Sequence, residues 1–302
     1  MIVDLPNTTT AKIGKKLQDL RETGGVVALG RVLSLLVETN AEDLEKAIAV
    51  ANGASKLHPS RIIVISRDSK SPSRLDAEIR VGGDAGASEV IVLRAAGEVL
   101  SSIESLVNGL LLPDAPIVSW WPGACSSNPG ASELGQIAGR RITDSAAQSN
   151  PVRFLMELAA NYTSGDGDMA WTRITLWRSQ LAALLDEHQE KPVVSATVFG
   201  SENSPSAHLF AKWIELKLGV TTEVIGEYQG AQVSGVGGLE IRFKDSSLSI
   251  QRSGQIGLIN QPGSPQSTVY LPQRSDLDCL VEDLRFLGED LAYAEVLRSL
   301  TR

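Results

Sequence analysis

Cysteine is nearly absent from this chain: among 302 residues there are two, Cys125 and Cys279, far apart and in no C-x-x-C pair. So few thiols exclude a disulfide-built scaffold and suit a reducing compartment, so the expectation is a cytoplasmic protein. Histidine is almost as scarce. His58, His188 and His208 stand alone, none with a second His or Cys at ligand spacing, so no zinc-type motif is present. Long apolar runs are missing too, the longest (residues 25–37) being interrupted by Arg31 and Ser34 and too short to span a bilayer. The opening MIVDLPNTTT lacks the basic start and apolar core of a signal peptide. Basic residues are the minority, 28 Lys and Arg against 36 Asp and Glu, for a net charge of −8. With no long basic stripe, that balance argues against nucleic acid or an anionic membrane as the main partner.

What is there is ordinary globular material, 42% hydrophobic and 21% charged, enough for real cores in about two domains. Residues 9–23 carry Ile13, Leu17 and Leu20 at helical spacing, ahead of Gly24-Gly25. The β-rich stretch 26–38 and SRIIVIS (60–66) read as strands buried on both faces, with a helix between them capped at Asn40. DAEIRV and SEVIVLR flank GGDAGA (82–87) and read as two strands joined by a glycine-bearing turn. A helix over 98–112 precedes a strand at 116–121. Two helices, near 151–162 and 169–185, follow, with Asp168 as the cap of the second. A strand at 193–199, a helix at 205–218 and four short β segments come next. Two helices close the chain, the first with Leu277, Leu280, Val281, Leu284 and Leu287 as its apolar stripe. The expected class is therefore α/β: two α/β domains, 1–150 and a smaller 191–302, each a mixed sheet covered by helices, with a helical connecting segment at 151–190.

Chemistry-bearing motifs are thin. GGDAGAS matches neither G-x-G-x-x-G nor the P-loop and connects two strands, whereas a phosphate cradle needs a helix N-terminus. Asp166 and Asp168 lack the rest of a calcium loop, so capping is the better reading. No G-x-S-x-G elbow supports a nucleophilic serine. His58 heads HPSR, a loop entering a buried strand, and reads as packing against it. No catalytic, cofactor or metal residue is therefore assigned, which favours a binding role.

The stretch APIVSWWPG (115–123) stands out. In a strand, Trp120 and Trp121 point to opposite faces, and functional surfaces of open α/β sheets collect beyond the carboxyl ends of strands. With Pro122-Gly123 stiffening the exit and Arg140-Arg141 shortly beyond, the expectation is one indole in the core and one near the surface as an interface anchor.

Several stretches, in chain order, resemble the OpcA-type glucose-6-phosphate dehydrogenase assembly proteins of bacteria. They are MIVDLPNTTT, GRVLSL, HPSRIIV, GGDAGASEVIV, LLLPDAPIVSWWPG, RRITD, DMAWTRITLWR and RSDLDCLVEDLR. The resemblance implies a non-enzymatic partner protein that binds glucose-6-phosphate dehydrogenase, promotes its active assembly and supports NADPH production by the oxidative pentose phosphate pathway. It marks Arg31, His58, Arg61, Asp84, Glu89, Trp120, Trp121, Pro122, Arg140, Arg141 and Asp144 as family-like positions. All but Arg31 are taken as candidate partner-binding residues. An alternative is that the α/β core itself binds a sugar phosphate or nucleotide, with HPSR and RRITD supplying the anion contacts.

Overall fold

A computed structural model describes residues 1–23, 32–81, 89–188, 190–228, 231–232 and 235–301. The glycine-bearing turn at 82–87, with Asp84, and the stretch holding Arg31 lie outside the described residues.

The chain divides into two units, one comprising Met1–Ala147, Thr163–Gly167 and Asp276–Glu289, the other the remainder. In the first unit β1 (Ile2–Leu5) is followed by α1 (Thr10–Thr23), β2 (Leu33–Thr39), α2 (Leu44–Ser55) and β3 (Ser60–Asp68). Then come β4 (Arg74–Arg80), β5 (Glu89–Ala96), α3 (Ile103–Asn108), β6 (Ile117–Trp120), α4 (Glu133–Ile137), β7 (Arg140–Thr143) and β8 (Asp166–Asp168). Among the described residues these strands form an eight-stranded sheet in the order β1-β4-β5-β3-β2-β6-β7-β8.

The middle five strands, β5-β3-β2-β6-β7, are all parallel. Their apolar runs explain this: Leu33–Val37 and Ile62–Ile65 are buried throughout, as strands covered on both faces must be. One face carries α1 and α3, through Ile13, Leu17, Leu20, Ile103 and Val107. Over the other lies α2, whose Leu44, Ala47, Ile48 and Ala51 turn inward. β4 runs antiparallel to β5, as the two-strand reading of 76–94 expects, and β1 closes that edge antiparallel to β4. From β2 the chain winds outward through β3 to β5, then returns past β2 to β6. The winding reverses between β2 and β6, where a doubly wound sheet opens a crevice at its carboxyl edge. The cap of α2 differs from expectation: Asp43 is the boundary residue, and Asn40 acts one turn earlier, its Oδ1 accepting from the Asp43 N–H at 2.7 Å.

The second unit begins with α5 (Pro151–Ala160), α6 (Met169–Thr172) and α7 (Thr175–Asp186). These are the helices expected to form a separate connecting segment. They instead supply Leu155, Trp171, Trp177 and Leu181 to a core shared with α8 (Pro205–Leu218) and the second sheet. Their apolar faces need a partner, and that sheet provides it. After β9 (Val193–Gly200), α8 and β10 (Thr222–Ile225) come the short β11 (Glu227–Tyr228) and β12 (Ala231–Gln232), which pair with each other. β13 (Val236–Phe243), β14 (Ser247–Ser253), β15 (Ile256–Asn260) and β16 (Ser267–Tyr270) complete a six-stranded sheet, β10-β9-β13-β14-β15-β16. It is mixed: β10 is parallel to β9, and the remaining pairs are antiparallel.

The two closing helices part company. α9 (Asp276–Asp283) belongs to the first unit, where it packs on α2, and α10 (Leu291–Leu300) to the second. The first unit recruits 163–167 and 276–289, and the second starts at Gln148.

Candidate partner-binding site

At the end of β6, Trp120 stands in register with Val37 of β2 and Ile142 of β7. It is 1% exposed and Trp121 is 3% exposed, on opposite faces of the sheet. Trp121 packs into the cluster under α1 and α3, and its Nε1 donates to Oε2 of Glu38 at 3.2 Å. The expectation that one indole lies near the surface is therefore wrong. Both rings are packed in the core, and Glu38 satisfies the Trp121 indole N–H that would have favoured exposure. Pro122, half-buried, carries the chain out of the sheet.

Beyond the β2 and β6 carboxyl ends lies a recess of about 300 Å³, lined by Asn40, Asp43, Lys46, Trp120, Pro122 and Asp276 among others. Lys46 and Asp276 pair across it at 3.4 Å. A larger cleft, about 820 Å³, opens beyond β3 and β5, with Glu45, Asp68, Arg74, Asp76 and Arg94 in its walls. The carboxyls that shift here all shift the same way. The Ser71 hydroxyl and the Lys70 N–H hold Asp68 below the usual carboxylate value, and the Asn7 N–H does so for Asp76. Arg80 does so for Glu45 through a hydrogen bond. General acid–base chemistry needs two groups pushed apart, one kept protonated, and these three are all kept ionised.

The charged family-like residues that the structure describes turn inward. Arg61, second in β3, faces Glu89, which opens β5, and its Nε donates to Glu89 Oε2 at 2.7 Å. The Arg61 Nη1 donates to the Leu110 carbonyl at 2.6 Å, while Arg21 of α1 reaches the same carboxylate at 2.9 Å. The Arg141 Nε donates to Asp166, and its Nη1 donates to the Ala138 carbonyl at 2.8 Å. A further bond runs from the Arg141 Nη2 to the Ser164 carbonyl. Asp166 sits just past Gly165, whose φ of +93° and close approach to the Gly139 carbonyl exclude a side chain. The Arg140 Nη2 donates to Asp283 Oδ1 at 2.9 Å, both residues being buried, while its Nε and Nη1 lack partners among the described residues. Asp144, also buried, accepts from the Ala146 N–H at 3.1 Å. His58, half-buried, donates from Nε2 to the Val281 carbonyl at 3.1 Å, which ties its loop to α9.

Arg61, Arg140 and Arg141 each donate to a buried carboxylate within the fold. What unites these positions is the joining of distant segments. The pairings themselves are not visible in local sequence: Arg21, Asp166 and Asp283 lie 68, 25 and 143 residues from the groups they meet. A missed network, Glu45–Arg80–Glu78–Arg94, was half legible, because Glu78 and Arg80 are two apart on one face of a strand. Asp168 caps a helix as expected, accepting from the Ala170 N–H at 2.8 Å, although the helix is the short α6. Cys279 is buried and Cys125 partly so. Among the described residues no helix is long and apolar enough to cross a membrane.

Fold and site together define a two-unit α/β protein with a doubly wound first sheet, held by buried ion pairs, with its clefts at the sheet's carboxyl edge. Residues 51–160 match the family described as glucose-6-phosphate dehydrogenase subunit N-terminal domain, and residues 164–297 match the corresponding C-terminal domain. The chain belongs to this OpcA-type family of glucose-6-phosphate dehydrogenase assembly proteins. A Synechocystis relative described as the OxPP cycle protein OpcA is 25% identical over 138 residues, 43% of this chain. The match spans only 29% of that relative's length. Among solved structures, an oxidoreductase of Thermotoga maritima aligns at a TM-score of 0.42 with 12% identity, covering 90% of this chain and 95% of that one. The scyllo-inositol dehydrogenase of Lactobacillus casei gives 0.41 with 7% identity, over 90% and 87%. At these scores the likeness bears on neither reaction nor ligand.

Proposed function

We propose that this chain is a non-enzymatic assembly factor and allosteric activator of glucose-6-phosphate dehydrogenase, acting in the cytoplasm and supporting NADPH supply through the oxidative pentose phosphate pathway. The observation that carries the reading is membership of the assembly family along both units. Two features of the molecule support the absence of chemistry. The described charged family-like side chains are engaged within the fold, and the shifted carboxyls of the cleft beyond β3 and β5 are all held ionised. Of the described contact candidates, Pro122 and His58 keep some surface in solvent, and through them the chain touches its partner. The buried positions act by holding that surface in shape.

Activation without bond chemistry requires that the chain bind the active dehydrogenase more tightly than the inactive one. A tenfold preference corresponds to about 1.4 kcal/mol. Mixing the two purified proteins and following dehydrogenase rate, oligomer size and co-elution tests this directly. The expected result is a higher rate together with a stable complex. Unchanged rate, size and elution at micromolar concentrations would sink the reading.

A further inference from the structure

The second unit contains a small recess that nothing above uses. Its volume is about 50 Å³, and it lies where the α6–α7 junction, the first turn of α8, the start of β13 and the end of β14 converge. Arg173, Trp177, Ser206, Arg252 and Arg274 are in its wall, and among the described residues no carboxylate lines it. Three guanidinium-bearing residues line one opening in a chain of net charge −8; Arg173 and Arg274 have partners of their own, the Arg274 Nη1 donating to the Thr172 carbonyl at 2.7 Å.

Two of these residues give the recess its direction. Trp177 is 1% exposed, yet its indole Nε1–H has no hydrogen-bond partner among the described residues. Native proteins rarely leave such a donor unmet, and an orphan at a cavity wall points to something that fills the cavity. Arg252 lies over the same indole, its guanidinium carbon 5.0 Å from the ring centroid, and its Nε donates to the Leu271 carbonyl at 3.2 Å. Burial pushes the Arg252 pKa down with no carboxylate acting to restore it. Its charge is thus partly desolvated without an offsetting anion of its own.

We infer that this recess binds the phosphoryl group of a small ligand, with Arg252, Arg173, Arg274 and the Trp177 N–H as its donors. Size and donor count select the group. A single water occupies roughly 10–15 Å³ by this measure, so the recess holds a few atoms and not a whole sugar or nucleotide. Guanidinium forks and an indole N–H offer more donors than the two oxygens of a carboxylate can accept, whereas a phosphoryl group presents three or more. The remainder of any ligand projects outward. Free phosphate and a phosphate monoester share this chemistry, and the site does not depend on the assembly role.

Calorimetric titration of the full chain with inorganic phosphate, glucose 6-phosphate and glucose, at fixed ionic strength, separates these cases. Both phosphates should bind and glucose should not. Tighter binding of glucose 6-phosphate makes a monoester the ligand, and equal affinities make it phosphate itself. Arg252→Met keeps the aliphatic stem over Trp177 and should weaken phosphate binding by about tenfold or more, with Arg252→Lys intermediate. Trp177→Phe, which removes little beyond the N–H, should weaken it by a smaller factor and serves if Arg252→Met does not fold. No binding of phosphate by the unmodified chain at about 10 mM would overturn the inference. So would an affinity unchanged in whichever of these variants folds.

Discussion

Arg61 and Glu89 are partners twice over: they face each other in the parallel register of β3 and β5, and their side chains meet at 2.7 Å. The carboxylate also receives Arg21 from α1, so one buried acid ties two strands to a helix. Removing it strands the buried Arg61 charge. Glu89→Leu should cost about 3–5 kcal/mol in urea denaturation, and Arg61→Met together with Glu89→Leu should restore much of that loss. A double variant no more stable than the single one would show that the two charges are not coupled.

Both indoles of the Trp-Trp pair are core groups, so their truncations should behave alike. Trp120→Ala and Trp121→Ala are each expected to lower stability by roughly 3–5 kcal/mol, read from thermal or urea melts. Any loss of dehydrogenase binding should follow the loss of folded protein. If one variant melts like the parent yet fails to bind, that ring is a contact after all.

Acid should loosen the network on the first sheet. For Glu78, desolvation acts to raise the pKa, but hydrogen bonds and charges from Arg80 and Arg94 outweigh it and hold the group below the ordinary 4.5. The Arg80 hydrogen bond does the same for Glu45. A carboxylate with a lowered folded value contributes stability that is present above 4.5 and is lost as pH falls through the folded value. Urea midpoints measured from about pH 6 down to about pH 3 should fall less steeply in Glu78→Gln than in the parent. Parallel curves would mean the network contributes nothing.

Local pattern made part of this molecule legible in advance. The nearly continuous apolar character of 26–38 and 60–66 announced strands covered on both faces, and the pairing of the strands at 76–81 and 88–94 followed from the glycine-bearing turn between them. Asp168 advertised itself as a cap through the residues beside it. The fate of the two tryptophans was not legible, because strand alternation assigns faces and not the depth of cover over each. Arg140 and Asp283 lie 143 positions apart, and no local periodicity links a strand to a helix at that distance. The helices at 151–186 looked like a connector for a similar reason: a helix shows its apolar face in sequence but not the sheet that will cover it.

The first unit is sewn from three separate pieces of chain, and its last piece, α9, is made only after nearly all of the second. During synthesis Arg140 must therefore wait for Asp283 until more than a hundred further residues have emerged. A fragment cut at Ala147 would retain that arginine without its counter-charge and leave the flank of α2 bare. Shortened versions of this protein intended to isolate one half will accordingly behave as damaged molecules, and they should not be taken for independent modules.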